Sequence, residues 1–148
     1  MFSKTATEGQ KFRGLMIFQK FIQALAAQGV HDAIKALFSR NLMRCIVNQA
    51  VNKDRYLHRA ALKSLKTLEI VVEAHPSTLL AILEQLISQN GAYDFDQLTA
   101  TSTVEHILHH VTADNVKQVF KLIRSPVSTV QEYVWEPHTQ SSANANIR

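Results

Sequence analysis

The chain has 148 residues, 46% of them apolar, with only four glycines and three prolines, which excludes a disordered chain and suffices for one folded domain. Its single cysteine excludes a disulfide framework and favours a reducing compartment, and no run resembles a membrane span or a secretory signal. Residues 1–66 carry 12 lysines and arginines against three acids, whereas residues 67–148 carry four against nine. A soluble intracellular protein with a basic end suited to phosphate or to an acidic partner is therefore expected.

The predicted elements follow a helical period from the start of the chain. A first amphipathic helix is predicted over about 8–28, where apolar residues recur every three or four positions, and Gly29 supplies its C-terminal stop. A second is predicted over about 32–50, with a break near 39–41 where a serine or an asparagine can cap a new start. The first third of the chain should thus contain two helices, the second of them interrupted.

Two further helices are predicted in the middle of the chain. The third covers about 54–74 and is ended by Pro76, because a proline disfavours the helical conformation in the residue before it. The fourth covers about 77–89, with Ser77 as its N-cap and the Asn-Gly pair at 90–91 as its stop.

The last two predicted helices follow the loop "NGAYDFD". The fifth covers about 97–111, and the sixth covers about 113–124 and is stopped by the Ser-Pro pair at 125–126. Beyond this point the helical period is lost and the sequence turns polar. Residues 125–148 are therefore predicted to be a loop or an unfinished connection to a following helix.

The six helices group into three pairs of similar length. The starts near residues 8, 54 and 97 are 46 and 43 positions apart, which matches the period of about 40–47 residues in HEAT and armadillo repeats. We predict an all-α chain of three antiparallel helical hairpins, stacked as a HEAT/armadillo-like superhelical segment over residues 1–124. The hairpins cover about 8–50, 54–89 and 97–124. A compact bundle of six helices is the alternative architecture.

Asp94 and Asp96 in "YDFDQ" are the first candidates for catalysis. Closely spaced carboxylates hold the two metal ions of nucleotidyl transferases, but those sites need a third carboxylate and a rigid strand, and no strand is predicted. Helix capping by Asp96 is the favoured interpretation. Because Walker-type, GxSxG and HExxH motifs are also missing from the sequence, we predict no enzyme, no cofactor and no small-molecule substrate.

Histidines and the cysteine give no stronger candidate. His106, His109 and His110 share one predicted helix, and the first and last of them could clasp a zinc ion from one face. No further ligand is apparent, so an exposed histidine cluster is favoured and no metal is predicted. Cys45 lies among apolar residues and is predicted to be a small buried thiol rather than a nucleophile.

The segment 52–69, "NKDRYLHRAALKSLKTLE", is the best candidate for a binding surface. At about 100° per residue, Arg55, Arg59 and Lys66 fall opposite the apolar stripe of the predicted helix, with Lys63 at the edge. Cations occupy its N-terminal turns and acids its C-terminal turns, which is the reverse of what the helix dipole favours. An anion bound nearby would explain this arrangement.

Two arginines of the preceding helix extend the predicted basic face if the two helices pack side by side. The complete set is Arg40, Arg44, Arg55, Arg59, Lys63 and Lys66. Nucleic acid or an acidic protein segment is the predicted partner, and a solvated face without a partner is the alternative.

Three segments together resemble the DNA polymerase V / Myb-binding protein 1A family. They are "MFSKTATEGQKFRGLMIFQKFIQ" (1–23), "LFSRNLMRCIVNQAVNKDRYLHRAALKSLKTLE" (37–69) and "NGAYDFDQLTATSTVEHIL" (90–108). The similarity extends in order over nearly all of residues 1–124, and its most specific part is "NLMRC…NQ…KDRYLH…AA".

Members of that family are large helical-repeat proteins of the nucleolus. The resemblance implies a role in ribosomal RNA gene transcription and ribosome biogenesis, with rDNA, chromatin and other nucleolar proteins as partners and no membrane. It gives Asp94 and Asp96 no catalytic role, despite the polymerase name. Because family members are far longer, the chain is expected to be an internal slice of their N-terminal helical region.

Overall fold

The computed structural model describes residues 1–87 and 90–130, the last five of these by their backbone. All regular structure in these ranges is helical, which confirms the all-α prediction. The helices are α1 (Glu8–Gln28), α2 (His31–Leu37), α3 (Arg40–Val51), α4 (His58–Ala74), α5 (Leu79–Ile87), α6 (Phe95–Thr99), α7 (Thr103–Leu108) and α8 (Val116–Val130), and a 3-10 turn (Pro76–Thr78) precedes α5.

Helix α1 has the bounds that its period and caps predict. The Thr7 hydroxyl accepts a hydrogen bond from the backbone N–H of Gln10, and the Gln10 side chain accepts one from the N–H of Thr7, which is a complete capping box. At the other end Gly29 adopts the left-handed conformation, with φ 69°. Its N–H donates to the backbone carbonyls of Leu25 and Ala26 in the last turn. Local sequence alone determines both ends of this helix.

The predicted break in the second helix is confirmed. Helix α2 ends at Leu37, and Ser39 caps α3 by accepting a hydrogen bond from the N–H of Leu42. Between them Phe38 is buried, and its ring meets that of Phe18 edge to face, with 5.4 Å between the centroids.

Helix α4 begins four residues later than predicted. The side chain of Asn52 accepts a hydrogen bond from the N–H of Asp54, and its carbonyl accepts one from the N–H of Arg55. These bonds hold residues 53–57 in turns, because asparagine competes with the helix for local backbone donors. Arg55 therefore lies before α4 and not on it.

The start of α5 and the single fifth helix were also predicted incorrectly. Pro76–Thr78 forms a 3-10 turn, so Ser77 is not an N-cap, while the predicted end at residue 89 falls on residues 88–89, outside the described ranges. The stretch predicted as one helix over 97–111 forms α6 and α7, which are separated by Ala100 in the left-handed conformation, with φ 53°.

Helix α8 continues to Val130, past the Ser-Pro pair that was predicted to stop it. A proline inside a helix removes one backbone hydrogen bond and can bend the axis, but it does not require the helix to end. Residues 125–130 are therefore helical and not a loop. The remainder of the predicted connection, 131–148, lies outside the described residues.

Helix α4 is at the centre of the packing. It contacts α1, α3 and α7, while α2 packs on α5 and α5 packs on α8. One hydrophobic core runs through these contacts, and its polar members are bonded: the buried Gln19 side chain of α1 donates to the Ser64 hydroxyl of α4 at 2.9 Å. In the ranges described, no single helix is long and apolar enough to cross a membrane. Helix α4 and the segment 76–87 reach that length and hydropathy only when taken together, and they are bent by 119° relative to each other.

Candidate functional site

Helix α4 carries one exposed basic stripe. Arg59, Lys63 and Lys66 are all exposed and follow one another at spacings of four and three residues. On the opposite side Leu65 and Leu68 are fully buried against the neighbouring helices. The structure thus places these three cations on one solvent-facing side of the helix, as their spacing predicts.

The charge of this stripe is concentrated at its N-terminal end. Lys66 donates a 2.7 Å hydrogen bond to Glu69, and this bond is the main cause of the raised pKa of Lys66. Glu69 also lies 3.1 Å from the Nδ1 atom of His106 on α7. Arg59 and Lys63, by contrast, form no salt bridge with any residue that the structure describes. These two side chains, rather than Lys66, are available to an anion.

The turn before α4 adds an arginine and an aromatic ring to this end of the stripe. Arg55 and Tyr56 are both exposed, and Tyr56 keeps 75% of its surface in contact with solvent. The first turn of α4 contains no acidic residue. Because a helix N-terminus carries partial positive charge, the cations here add to the field of the helix and are not neutralised by it.

The two arginines of α3 occupy different positions. Both Arg40 and Arg44 are exposed, but Arg44 lines a cavity of about 110 Å³ together with Lys4 and Lys11, and none of the α4 cations lines it. Helices α3 and α4 do pack side by side, and the grouping of all six residues on one face stays a prediction. Sequence reasoning counted Lys4 and Lys11 only in the net charge, and no local motif marks them as neighbours of Arg44.

Cys45 also lines this cavity and is buried, as predicted. Burial raises the pKa of its thiol, and the positive charge of Lys11 offsets part of that rise. The thiol is consequently protonated at neutral pH, which argues against a nucleophilic role.

The carboxylate of Asp96 is a helix cap. Its two oxygens accept hydrogen bonds from the backbone N–H groups of Val104 and Glu105, at 2.9 and 3.0 Å. It therefore caps α7 from the preceding helix α6, whereas Asp94 is exposed at the start of α6 and makes no such bond. Both line an open groove of about 730 Å³, and the two hydrogen bonds of Asp96 give its carboxylate a structural role there.

Replacing Asp96 by alanine should lower the free energy of unfolding by about 1–2 kcal/mol, because two backbone donors at the start of α7 lose their charged acceptor. Urea denaturation followed by circular dichroism measures this loss. Asp94→Ala is the matched control and should change stability by less than about 0.5 kcal/mol. Equal losses for the two variants would contradict the capping role.

The histidines on and after α7 do not form a ligand set. His106 and His109 are exposed, with their ring centroids 6.2 Å apart, and His106 is engaged with Glu69. Within residues 1–87 and 90–130, no three histidine, cysteine, aspartate or glutamate side chains are grouped so that they could hold a metal ion.

Fold and surface together define a class of protein: an all-α domain whose described surface presents exposed basic side chains on α3 and α4. The sequence model of the DNA polymerase phi family matches residues 1–148, and the chain belongs to this family. The resemblance to DNA polymerase V and Myb-binding protein 1A by name stays a prediction.

Two curated relatives are named as transcriptional regulators. The chain is 32% identical over 132 residues to the rDNA transcriptional regulator pol5 of Schizosaccharomyces pombe, covering 89% of this chain and 13% of the relative. It is 25% identical over 109 residues to the rDNA transcriptional regulator POL5 of Saccharomyces cerevisiae, covering 72% of this chain and 10% of the relative. The chain thus spans only about an eighth or less of these relatives. No solved structure matches it.

Proposed function

We propose that this chain is a non-enzymatic helical module that acts in rDNA transcription and ribosome biogenesis in the nucleolus by binding nucleic acid. The observation that carries the proposal is the unpaired basic end of α4, formed by Arg55, Arg59 and Lys63. The names of the curated relatives support the process, since both are called rDNA transcriptional regulators.

The electrostatics of α4 favour a polyanion. Arg59 lies in the first turn of the helix, where the dipole disfavours a cation, and Glu73 lies at the opposite end, where it disfavours an anion. A bound phosphate backbone removes the first of these penalties and releases counterions. Tyr56 adds an exposed ring beside the arginines, on which an unpaired base can stack.

A repeat architecture suits this role. Helices α1, α4 and α7 contact one another in succession, and so do α2, α5 and α8. Two such rows are what stacked HEAT- or armadillo-like units produce, and we infer that the chain is a segment of such a stack. Rows of this kind form extended surfaces on which a basic stripe can follow a backbone.

The proposal assigns no role in nucleotidyl transfer to Asp94 or Asp96. That reaction needs carboxylates that hold two metal ions, whereas the hydrogen bonds of Asp96 give its carboxylate a structural role as the cap of α7. The polymerase in the family name therefore receives no support from these residues.

Double charge reversal tests the proposal. Arg59→Glu combined with Lys63→Glu should lower the affinity of the 148-residue chain for a short labelled duplex by at least about tenfold at low salt. The slope of log K against log salt should fall by about 2, because two phosphate contacts are lost. Fluorescence anisotropy over a salt series measures both quantities.

Lys117→Glu combined with Lys121→Glu provides a matched control, since both residues are exposed on α8 and the change of net charge is the same. It should retain most of the affinity. If the two double variants lose affinity equally, binding follows net charge alone and the α4 surface is not the site. Absence of duplex and RNA binding by the unmodified chain at low salt would remove the proposal.

A protein-interaction scaffold is the second candidate, because apolar side chains are exposed on α1 and α8. Ile17 and Phe21 lie four residues apart on α1, and Val116 and Phe120 lie four apart on α8. In this case the apolar side chains contact a partner protein, and the basic end of α4 docks an acidic segment of it. Arg59→Glu/Lys63→Glu would then abolish capture of an acidic peptide while the unmodified chain fails to bind nucleic acid.

A further inference from the structure

We propose that the cavity between the N-terminal segment, α1 and α3 is a phosphate-binding pocket that takes one backbone phosphate of the bound nucleic acid. This inference rests on the proposed function and adds a second, separate contact to it. The pocket is lined by three cationic side chains, Lys4, Lys11 and Arg44, and by no acidic residue.

The neutral lining also suits an anion. Asn41, Asn48 and Gln49 of α3 supply amide groups that can donate hydrogen bonds, and the N-terminal segment supplies the hydroxyl of Ser3. A carboxylate in this lining would repel an oxyanion, and none is present among the described residues around the cavity. The lining therefore offers hydrogen-bond donors and positive charge to a group that carries only acceptors.

The size of the cavity is compatible with a phosphate group. Its volume of about 110 Å³ has room for a tetrahedral phosphate. Lys11 acts electrostatically on the thiol of Cys45, which also lines the cavity, so the ammonium field reaches the interior.

Packing of the N-terminal segment holds the pocket together. The ring of Phe2 lies on Gly14 of α1 so closely that a Cβ atom at position 14 would come within 2.5 Å of it. This contact, together with the hydrogen bond from the N–H of Ala6 to the carbonyl of Ser3, holds the segment that carries Lys4. Lys4 of the N-terminal segment and Lys11 of α1 therefore line the same cavity as Arg44 of α3.

Titration of the isotope-labelled chain with inorganic phosphate, followed by amide chemical shifts, tests the pocket directly. Saturable shifts are expected at Lys11, Asn41, Arg44 and Cys45, and a short duplex should shift the same amides. Lys11→Ala combined with Arg44→Ala should abolish both responses. It should also reduce the salt slope of duplex binding by about 1, uniformly across sequences, because one phosphate contact is lost.

Lys117→Ala combined with Lys121→Ala is the control for net charge and should leave these shifts and the slope unchanged. No response of the pocket amides to phosphate, or an unchanged slope in Lys11→Ala/Arg44→Ala, would overturn the pocket while duplex binding through α4 persists. Shifts with a phosphoserine peptide but none with the duplex would overturn the nucleic-acid assignment. If only the pocket fails, Arg59→Glu/Lys63→Glu still lowers the affinity for the duplex. If the proposed function fails, this variant binds the duplex no more weakly than the control variant does.

Discussion

Phe38→Ala is expected to lower the free energy of unfolding by about 3–5 kcal/mol, a large share of the roughly 5–15 kcal/mol that stabilises a domain. The ring is 1% exposed and packs edge to face on Phe18 of α1, so its removal leaves a cavity in the core. The surrounding helices can fill such a cavity only in part, which adds to the loss of apolar burial.

The backbone of Phe38 adds to the cost of disturbing this position. The side chain of Asn90 donates a 2.9 Å hydrogen bond to the Phe38 carbonyl and so joins the break between α2 and α3 to the loop that follows α5. A shift of residue 38 toward the cavity would strain this bond. The structure therefore resists the local collapse that would otherwise reduce the penalty.

Urea denaturation followed by circular dichroism measures this effect, and Phe120→Ala is the matched control. Phe120 is the same residue type on α8 but is 64% exposed, so its loss should change stability by less than about 0.5 kcal/mol. A Phe38 variant that unfolds at the same urea concentration as the Phe120 variant would show that the core is not assembled as described.

Elements with local signals were predictable from the sequence, and elements that depend on distant partners were not. The bounds of α1 follow from a capping box at Thr7 and a left-handed Gly29, both of which can be read from neighbouring residues. The division between α6 and α7 depends on Asp96 reaching eight residues forward to bind the N–H of Val104. The helical period does not contain that information, because it shows which face of a helix is apolar and not which residue caps its end.

The candidate site shows the same limit. Helical spacing predicts that Arg59 and Lys63 share a face, since a regular helix relates residues four apart. It does not predict that Arg44 joins Lys4 and Lys11, because that grouping depends on the N-terminal segment packing on α1 through Phe2. Such contacts lie between elements that no local pattern connects.

Gly91→Ala is expected to lower the free energy of unfolding by about 1–3 kcal/mol. A Cβ atom at this position would overlap the carbonyl oxygen and carbon of Leu86 and the carbonyl oxygen of Gln85, which are backbone atoms that cannot rotate away. The N–H of Ala92 also bonds the Leu86 carbonyl at 2.9 Å, so moving residue 91 outward weakens this link as well. Glycine is required here by close approach of the chain to α5.

The same substitution should have the opposite effect on the free energy of unfolding at Gly9. Apart from the adjacent backbone of α1, no atom lies within 4 Å of the position that a Cβ would take there, and the residue is exposed in the first turn of α1. Gly9→Ala is therefore expected to stabilise the chain by about 0.4–1 kcal/mol, because alanine restricts the unfolded state without strain in the folded one. Urea denaturation measures the free energy of unfolding of both variants. A Gly91 variant as stable as the Gly9 variant would mean that the chain after α5 does not approach Leu86 in this way.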